Sequence, residues 1–270
     1  MTELDDKYQA LQDILRAYGR VAVAYSGGVD STLLLKAAHD ALGRNAIALT
    51  AQMPALPEAD LDETRRFADE LGLGHIVVPI DLFSIPGFRE NPPDRCYHCK
   101  RSIFADLIAA ADTAGFPIVA EGSNADDADD YRPGSRAIAE LGVKSPLLEA
   151  GLTKREIRLL SRELGLPTWN KPSAACLASR FAYGEPITDE GLAMVAAAEA
   201  FLKELGFAQV RVRVHGAIAR IEVAPERIPE MAAEPMRSRI ECRCREIGFK
   251  FVTLDLGGYR MGSMNELLGR

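Results

Sequence analysis

The chain has 270 residues, of which 47% are hydrophobic and 26% charged, a balance that fits a folded globular protein and excludes a disordered polyampholyte. Its formal net charge of −7, from 32 Lys and Arg against 39 Asp and Glu, argues against a general nucleic-acid coat. At this length a core can be buried without disulfides, and five cysteines make a poor secreted disulfide framework.

The opening stretch MTELDDKYQALQDILRAYGR carries charges every few residues, with Tyr8, Leu11, Leu15 and Tyr18 on one helical face. It lacks the apolar core and cleavage site of a secretion signal. No uncharged apolar run approaches the roughly 18 residues needed to span a bilayer, so a cytoplasmic protein without membrane partners is expected. Val21–Tyr25 reads as a strand, Ser26-Gly27-Gly28 as a turn, and Thr32–Leu42 as a helix stopped by Gly43. Ala46–Thr50, Pro57–Leu71 and His75–Ile80 follow as strand, helix and strand. A helix near Arg101–Thr113 ends at Gly115, and Pro117–Ala120 begins a fourth strand. Thr153 and Glu156 form a capping box on a helix that stops at Gly165.

Strands separated by helices predict a doubly wound, mostly parallel α/β sheet. Ligands of such sheets bind beyond the carboxyl ends of the strands, here after Tyr25, Thr50 and Ala120. The pattern changes after Tyr183-Gly184-Glu185-Pro186: a helix over Asp189–Leu205, strands at Val210–Val214 and Ile218–Val223, a helix over Met236–Ile247 and a strand at Phe249–Leu254. The division predicted is a nucleotide domain over residues 1–185 and a smaller α+β domain over residues 186–270 that binds substrate or joins subunits.

Ser26-Gly27-Gly28-Val29-Asp30-Ser31 lies between the first strand and its helix. Glycines let the backbone approach a ligand, the helix aims unpaired N–H groups at it, and the serines add hydroxyl donors. Asp30 suits a Mg²⁺ ion that bridges phosphates. A serine-capped Gly-Gly turn would be the plainer explanation of the two glycines alone. Neither GxxxxGK[ST] nor GxGxxG occurs. SGGVDS directly after VAVAY resembles the signature of the PP-loop ATP pyrophosphatases, whose fold is adenine nucleotide alpha hydrolase-like. The resemblance implies ATP cleaved between its α and β phosphates, AMP attached to a substrate oxygen, and pyrophosphate released.

The cysteines are Cys96 and Cys99 in a CxxC, the lone Cys176, and Cys242 and Cys244. A lone cysteine is ordinarily a small hydrophobe, and CxxC alone allows a redox pair, half a zinc site, or part of an iron–sulfur site. Cys242 and Cys244 fall on different helix faces and read as core or surface thiols. RCYHCK, GSNADDADDYRPG, NKPSAACLASRFAYGEPIT and VTLDLGGYRMGSMNE together resemble the LarE family, ATP-dependent sulfur transferases of nickel-pincer cofactor biosynthesis for lactate racemase. The resemblance implies a pyridinium biscarboxylic acid mononucleotide whose carboxylates are adenylylated and become thiocarboxylates. It also implies one of two sulfur routes: sacrifice of the Cys176 sulfur, or a 4Fe–4S cluster on Cys96, Cys99 and Cys176 that delivers a sulfide. With all three thiols present, the cluster type is expected, with sulfide or another sulfur donor reloading it and a homo-oligomer as the assembly.

Arg211 and Arg213 alternate with valines and so share a strand face. That suits either a solvated charged surface or the phosphate of a nucleotide substrate. The resemblance favours the phosphate and adds Arg180. Tyr97 could stack on a pyridinium ring or simply pack. Glu199 and Glu222 are candidate polar contacts to the substrate. Asn124, Asp126, Asp127, Asp129 and Asp130 form an acidic loop without the EF-hand pattern, since Tyr131 stands where glycine is required; it reads as a capping loop on the substrate side. His39 and His75 read as structural. The competing functions are a tRNA thiouridylase, disfavoured by the acidic charge, an amidating PP-loop ligase, and a non-catalytic ATP- or metal-binding module.

Overall fold

A computed structural model describes residues 2–53, 58–127, 133–172 and 176–260. The chain divides into two units, Met1–Pro86 with Asp94–Ser173, and Gly87–Pro93 with Ala174–Arg270. Residues 174–185, which the sequence reading left with the nucleotide domain, and the short segment Gly87–Pro93 both belong to the second unit. Asn91 explains the segment: it is fully buried and its Nδ2 donates to the Ala182 carbonyl at 2.7 Å. Its own carbonyl accepts from the Gly184 N–H at 2.9 Å.

The first unit opens with α1 (Glu3–Tyr18) and β1 (Val21–Ala24), then α2 (Val29–Leu42), β2 (Ala46–Gln52), α3 (Glu58–Glu70) and β3 (Gly74–Pro79). After α4 (Arg95–Thr113) and β4 (Val119–Ala120) come α5 (Pro133–Glu140), α6 (Pro146–Glu149) and α7 (Lys154–Glu163). The strands form one parallel sheet in the order β3-β2-β1-β4. Successive side chains leave opposite faces of a strand, and both faces here are apolar. Val21, Val23, Ala46 and Ala48 pack with Leu11, Leu15, Leu34 and Ile157, whereas Ala22, Ile47 and Leu49 pack with Phe104, Leu107 and Ile138. Helices therefore cover both sides, and the doubly wound fold follows. The predicted elements are all present among the described residues, with shifted ends. The two shifts that matter are α2, which begins at Val29 rather than Thr32, and α4, which begins at Arg95 rather than near Arg101.

The second unit contains α8 (Asp189–Glu204), β5 (Val210–His215), β6 (Ile218–Val223), α9 (Ile228–Ala232), α10 (Met236–Ile247) and β7 (Phe251–Leu254). β5 and β6 are an antiparallel hairpin, and β7 adds parallel to β6, giving the order β5-β6-β7. Leu192, Val195, Val210, Val212, Ile221 and Ile240 lie in its core. No described helix is long and apolar enough to cross a membrane.

Candidate active site

The loop after β1 is built by backbone conformation first. Gly27 adopts φ +69°, which favours glycine, and a Cβ there would come within 3.1 Å of the Thr64 methyl, a tight approach that favours it further. Gly28, extended at φ −85° and ψ 166°, caps α2 without any side-chain bond to the helix N–H groups. That explains the early start of the helix: an extended glycine can end the loop at once, placing Val29, Asp30 and Ser31 in the first helical turn. The uncapped end keeps its dipole and its N–H groups free for an anion. Ser31 Oγ accepts from the Ser26 N–H at 3.2 Å, donates to the Gly28 carbonyl at 3.2 Å, and lies 3.1 Å from Ser26 Oγ. The loop is thus pre-shaped, with both hydroxyls on its inner side. The sheet supports it from behind, because Thr50 Oγ1 donates to the Tyr25 carbonyl and lies 2.8 Å from His75 Nε2. Burial holds the His75 imidazole below its ordinary pKa, which fits the structural role read for it. His39 lies beside Asp40 at 3.1 Å on the helix surface.

From β4, Gly122 closes on the same loop: a Cβ there would sit 3.2 Å from the Ser31 nitrogen. Asp30 is contacted by Lys154 Nζ, at the head of α7, and by Asn124 Nδ2 at 3.4 Å. Of the acidic loop, Asp126 accepts the Lys154 N–H at 2.9 Å, Asp127 the Asn124 N–H at 3.0 Å, and Asn124 Oδ1 the Asp126 N–H at 3.0 Å. The capping role read for this loop holds for these residues, while Asp129, Asp130 and Tyr131 lie outside the described residues. Lys154 went unnoticed in the sequence. Its signal was present, a lysine immediately inside a capping box, where a cation opposes the helix dipole.

Because α4 starts at Arg95, the CxxC occupies its first turn, and Cys96 and Cys99, one helical turn apart, face the same side. Neither is in a disulfide; Cys96 is exposed and Cys99 half-buried. An Arg95 guanidinium nitrogen lies 3.5 Å from Cys96 Sγ. Tyr97 points elsewhere. Its ring is buried, its hydroxyl donates to Glu140 at 2.6 Å, and the Arg136 guanidinium covers one face at 4.0 Å from the ring centre. Of the two readings of Tyr97 the structure shows packing: it fastens α4 to α5, on a different face of the helix from Cys96.

In the second unit Cys176 is exposed at the start of a single turn, Leu177–Arg180. Its carbonyl accepts from Ser179 Oγ at 2.7 Å and from Arg180 at 3.2 Å. Arg180 is buried and forms paired bonds of 2.7 and 2.9 Å with Glu199, whose Oε1 also accepts the Val212 N–H at 3.0 Å. Arg213 is buried against Glu222 at 2.9 and 3.1 Å and donates to the Ser179 carbonyl at 2.9 Å. Arg211 is also buried, over the Tyr259 ring at 5.1 Å; burial, and after it the adjacent Arg180 charge, press its pKa below the ordinary arginine range. The alternating arginines thus share a face, as read, but it is an interior face. Glu199 and Glu222, read as substrate contacts, are the partners of these arginines and tie the Cys176 turn to β5 and α8. Cys242 is exposed and Cys244 fully buried, one on each side of α10.

Among the described residues of each unit, no three His, Cys, Asp or Glu side chains form a ready-made metal cage. Within the first unit the arrangement offers an open anion cradle, a carboxylate and a lysine beside it, and two thiols on one helical turn. Within the second it offers an exposed thiol on a turn held by buried arginines.

No protein-family model matches the chain. It is 42% identical over 265 residues to an uncharacterized protein of Synechocystis, covering 98% of this chain and 99% of that one. It is 40% identical over 269 residues to the pyridinium-3,5-bisthiocarboxylic acid mononucleotide synthase of Lactiplantibacillus plantarum, covering 99% of this chain and 97% of the synthase. A tRNA-specific 2-thiouridylase, MnmA of Rhodospirillum rubrum, is 31% identical over 194 residues, covering 58% of this chain and 52% of the thiouridylase.

Proposed function

The chain belongs to the LarE family of pyridinium-3,5-bisthiocarboxylic acid mononucleotide synthases and is an ATP-dependent sulfurtransferase, and from that membership we propose that it adenylylates the carboxylates of a pyridinium mononucleotide and exchanges an oxygen of each for sulfur. The uncapped head of α2 and the hydroxyls of Ser26 and Ser31 bind the β and γ phosphates of ATP, with Gly27, Gly28 and Val29 forming the floor. A substrate carboxylate oxygen attacks the α phosphorus, the bond to the bridging oxygen breaks, and pyrophosphate leaves. Backbone N–H groups already oriented at the departing phosphates stabilise that charge without reorganising. A sulfide anion, HS⁻, then adds to the acyl carbon and AMP departs with the carboxylate oxygen, leaving a thiocarboxylate and a proton.

Asp30 would hold Mg²⁺, since a single protein carboxylate, half open to solvent, suits an ion that keeps most of its ligands as water and phosphate oxygen. Cys96, Cys99 and Cys176 would hold a 4Fe–4S cluster that supplies the sulfide. The thiols fit that group in kind: none is in a disulfide, Cys96 and Cys176 are exposed, and Cys96 and Cys99 lie one helical turn apart. Arg180, Arg211 and Arg213 serve the substrate phosphate, and Glu199 and Glu222 hold the arginines at fixed positions rather than touching substrate.

The observation that carries the sulfur route is the pair of thiols one helical turn apart at the start of α4, Cys96 exposed and Cys99 half-buried. Anaerobically prepared protein should contain iron and acid-labile sulfide, lost together in Cys96→Ala and Cys99→Ala. Iron-free protein whose Cys176 loses the elements of H₂S on turnover would replace the cluster by the sacrificial route. Pyrophosphate release stimulated by tRNA, and not by the pyridinium mononucleotide, would sink the substrate assignment.

A further inference from the structure

Lys154 breaks a local rule. It is the first residue of α7, where the helix dipole disfavours a cation, although Thr153 and Glu156 cap that helix fully. Its backbone is fixed, because its N–H donates to Asp126 at 2.9 Å. Its ammonium group reaches across to Asp30 in the first turn of α2, so a cation at the wrong end of one helix meets an anion at the right end of another. Side-chain exposures of 30% for Lys154 and 22% for Asp30 make the pair part-buried, at a rim that water still reaches. Such a pair contributes less to folding than a fully buried one, whose loss strands a charge. It also leaves the ammonium group within reach of a polyanion in the neighbouring cradle.

We propose that Lys154 is an exchangeable cation of the pyrophosphate site: it neutralises Asp30 while the loop is empty, and turns onto the β and γ phosphates of ATP when a divalent ion takes the carboxylate. The inference rests on the reading that the SGGVDS loop binds ATP. Charge bookkeeping is consistent in both states. Without ligand, Lys154 and Asp30 cancel; with ligand, the lysine answers phosphate and the carboxylate answers the metal. Asn124, 3.4 Å from Asp30, keeps the carboxylate from swinging away while the lysine leaves it.

The exchange makes an unusual demand. Without a divalent ion, Asp30 competes with pyrophosphate for the same lysine, so removing the carboxylate charge must improve binding. Calorimetric titration of the full chain with inorganic pyrophosphate, in chelator and in Mg²⁺, tests this. In chelator, Asp30→Asn should bind about two- to fivefold more tightly than the parent, the span of a part-exposed ion pair. Lys154→Met should bind about ten- to a hundredfold more weakly in either buffer, Lys154→Arg should retain most of the affinity, and in chelator Asp30→Asn should improve binding less in the Lys154→Met background than in the parent. Unchanged affinity in a folded Lys154→Met, or weaker chelator binding in Asp30→Asn, would overturn the exchange. Failure of the parent to bind either Mg-pyrophosphate or Mg-ATP would remove the ATP reading together with it, a result distinct from both.

Discussion

The two units handle charge in opposite ways. Around the phosphate loop the charged groups stand half open to water, and Asp30 and Lys154 meet at a rim that a ligand can enter. In the second unit Arg180 and Glu199 are each 3% exposed, and Arg213 and Glu222 are 7% and 1% exposed. The first arrangement can exchange partners at low cost. The second cannot, since a buried charge that loses its partner is left uncompensated. A ligand that must displace a side-chain partner in order to bind fits the first kind of electrostatics, and arginines held in place to receive a phosphate fit the second. The same residue types therefore do different work in the two places.

Glu199→Ala should break this comparison most severely. It strips Arg180 and the Val212 N–H of a shared partner in the interior, and chemical denaturation should show a loss of about 3–5 kcal/mol. Asp30→Ala is the counterpart in the first unit. It should cost less than about 1 kcal/mol of stability yet slow ATP-dependent pyrophosphate release about 10²- to 10³-fold, the size expected for losing one fixed electrostatic contact to a developing charge. Equal stability losses in the two variants would mean that the rim pair is as structural as the buried one.

This division also marks what could be read from the sequence. Backbone-driven features were legible: the strand-turn-helix around SGGVDS, the helix stops at Gly43 and Gly165, and the capping box at Thr153 all depend on residues within a few positions of one another. The start of α4 was not, because Pro92, Pro93 and Asp94 read as the end of a loop and gave no side-chain cap to mark Arg95 as helical. Alternation correctly put Arg211 and Arg213 on one strand face, but period alone does not say whether that face is wet. The answer depended on Glu222 across the hairpin and on Ser179, 34 positions earlier in the chain than Arg213. Tyr97 stays open between stacking and packing for a related reason, since its partners Arg136 and Glu140 come from another helix. Lys154 was legible in principle as a violation of the dipole rule, yet its partner lies 124 residues away.

A smaller effect sharpens the same contrast on the side of the cradle. Thr153→Ala removes the hydroxyl that accepts the Glu156 N–H and should destabilise α7 by about 1 kcal/mol. Since α7 carries Lys154, the frayed end should also weaken pyrophosphate binding, though less than Lys154→Met does. Weakened stability with unaltered pyrophosphate affinity would show that the lysine is placed by its own bond to Asp126 and not by the cap.

The smallest expected effect concerns the thiols and separates buried from open ones by pH. Cys244 lies in the interior of the second unit, and burial pushes its pKa up from 9.0 to about 11. Its folded-state value is the higher one, so the unfolded chain releases this proton first as pH rises. Between about pH 9 and 11 the unfolded state then binds fewer protons than the folded state, and stability must fall with increasing pH. Below that window the contribution of the protonated thiol is intact. Unfolding measured at several pH values should therefore fall less steeply through the window in Cys244→Ala than in the parent, even though the variant starts from a lower stability because a buried sulfur is gone. Native-state alkylation gives the matching readout: Cys244 should stay unmodified where the exposed Cys96 and Cys176 react. Parallel pH slopes for parent and variant, or modification of Cys244 without unfolding, would mean that this part of the second unit opens to solvent, and the rigidity ascribed to its buried ion pairs would not extend to α10.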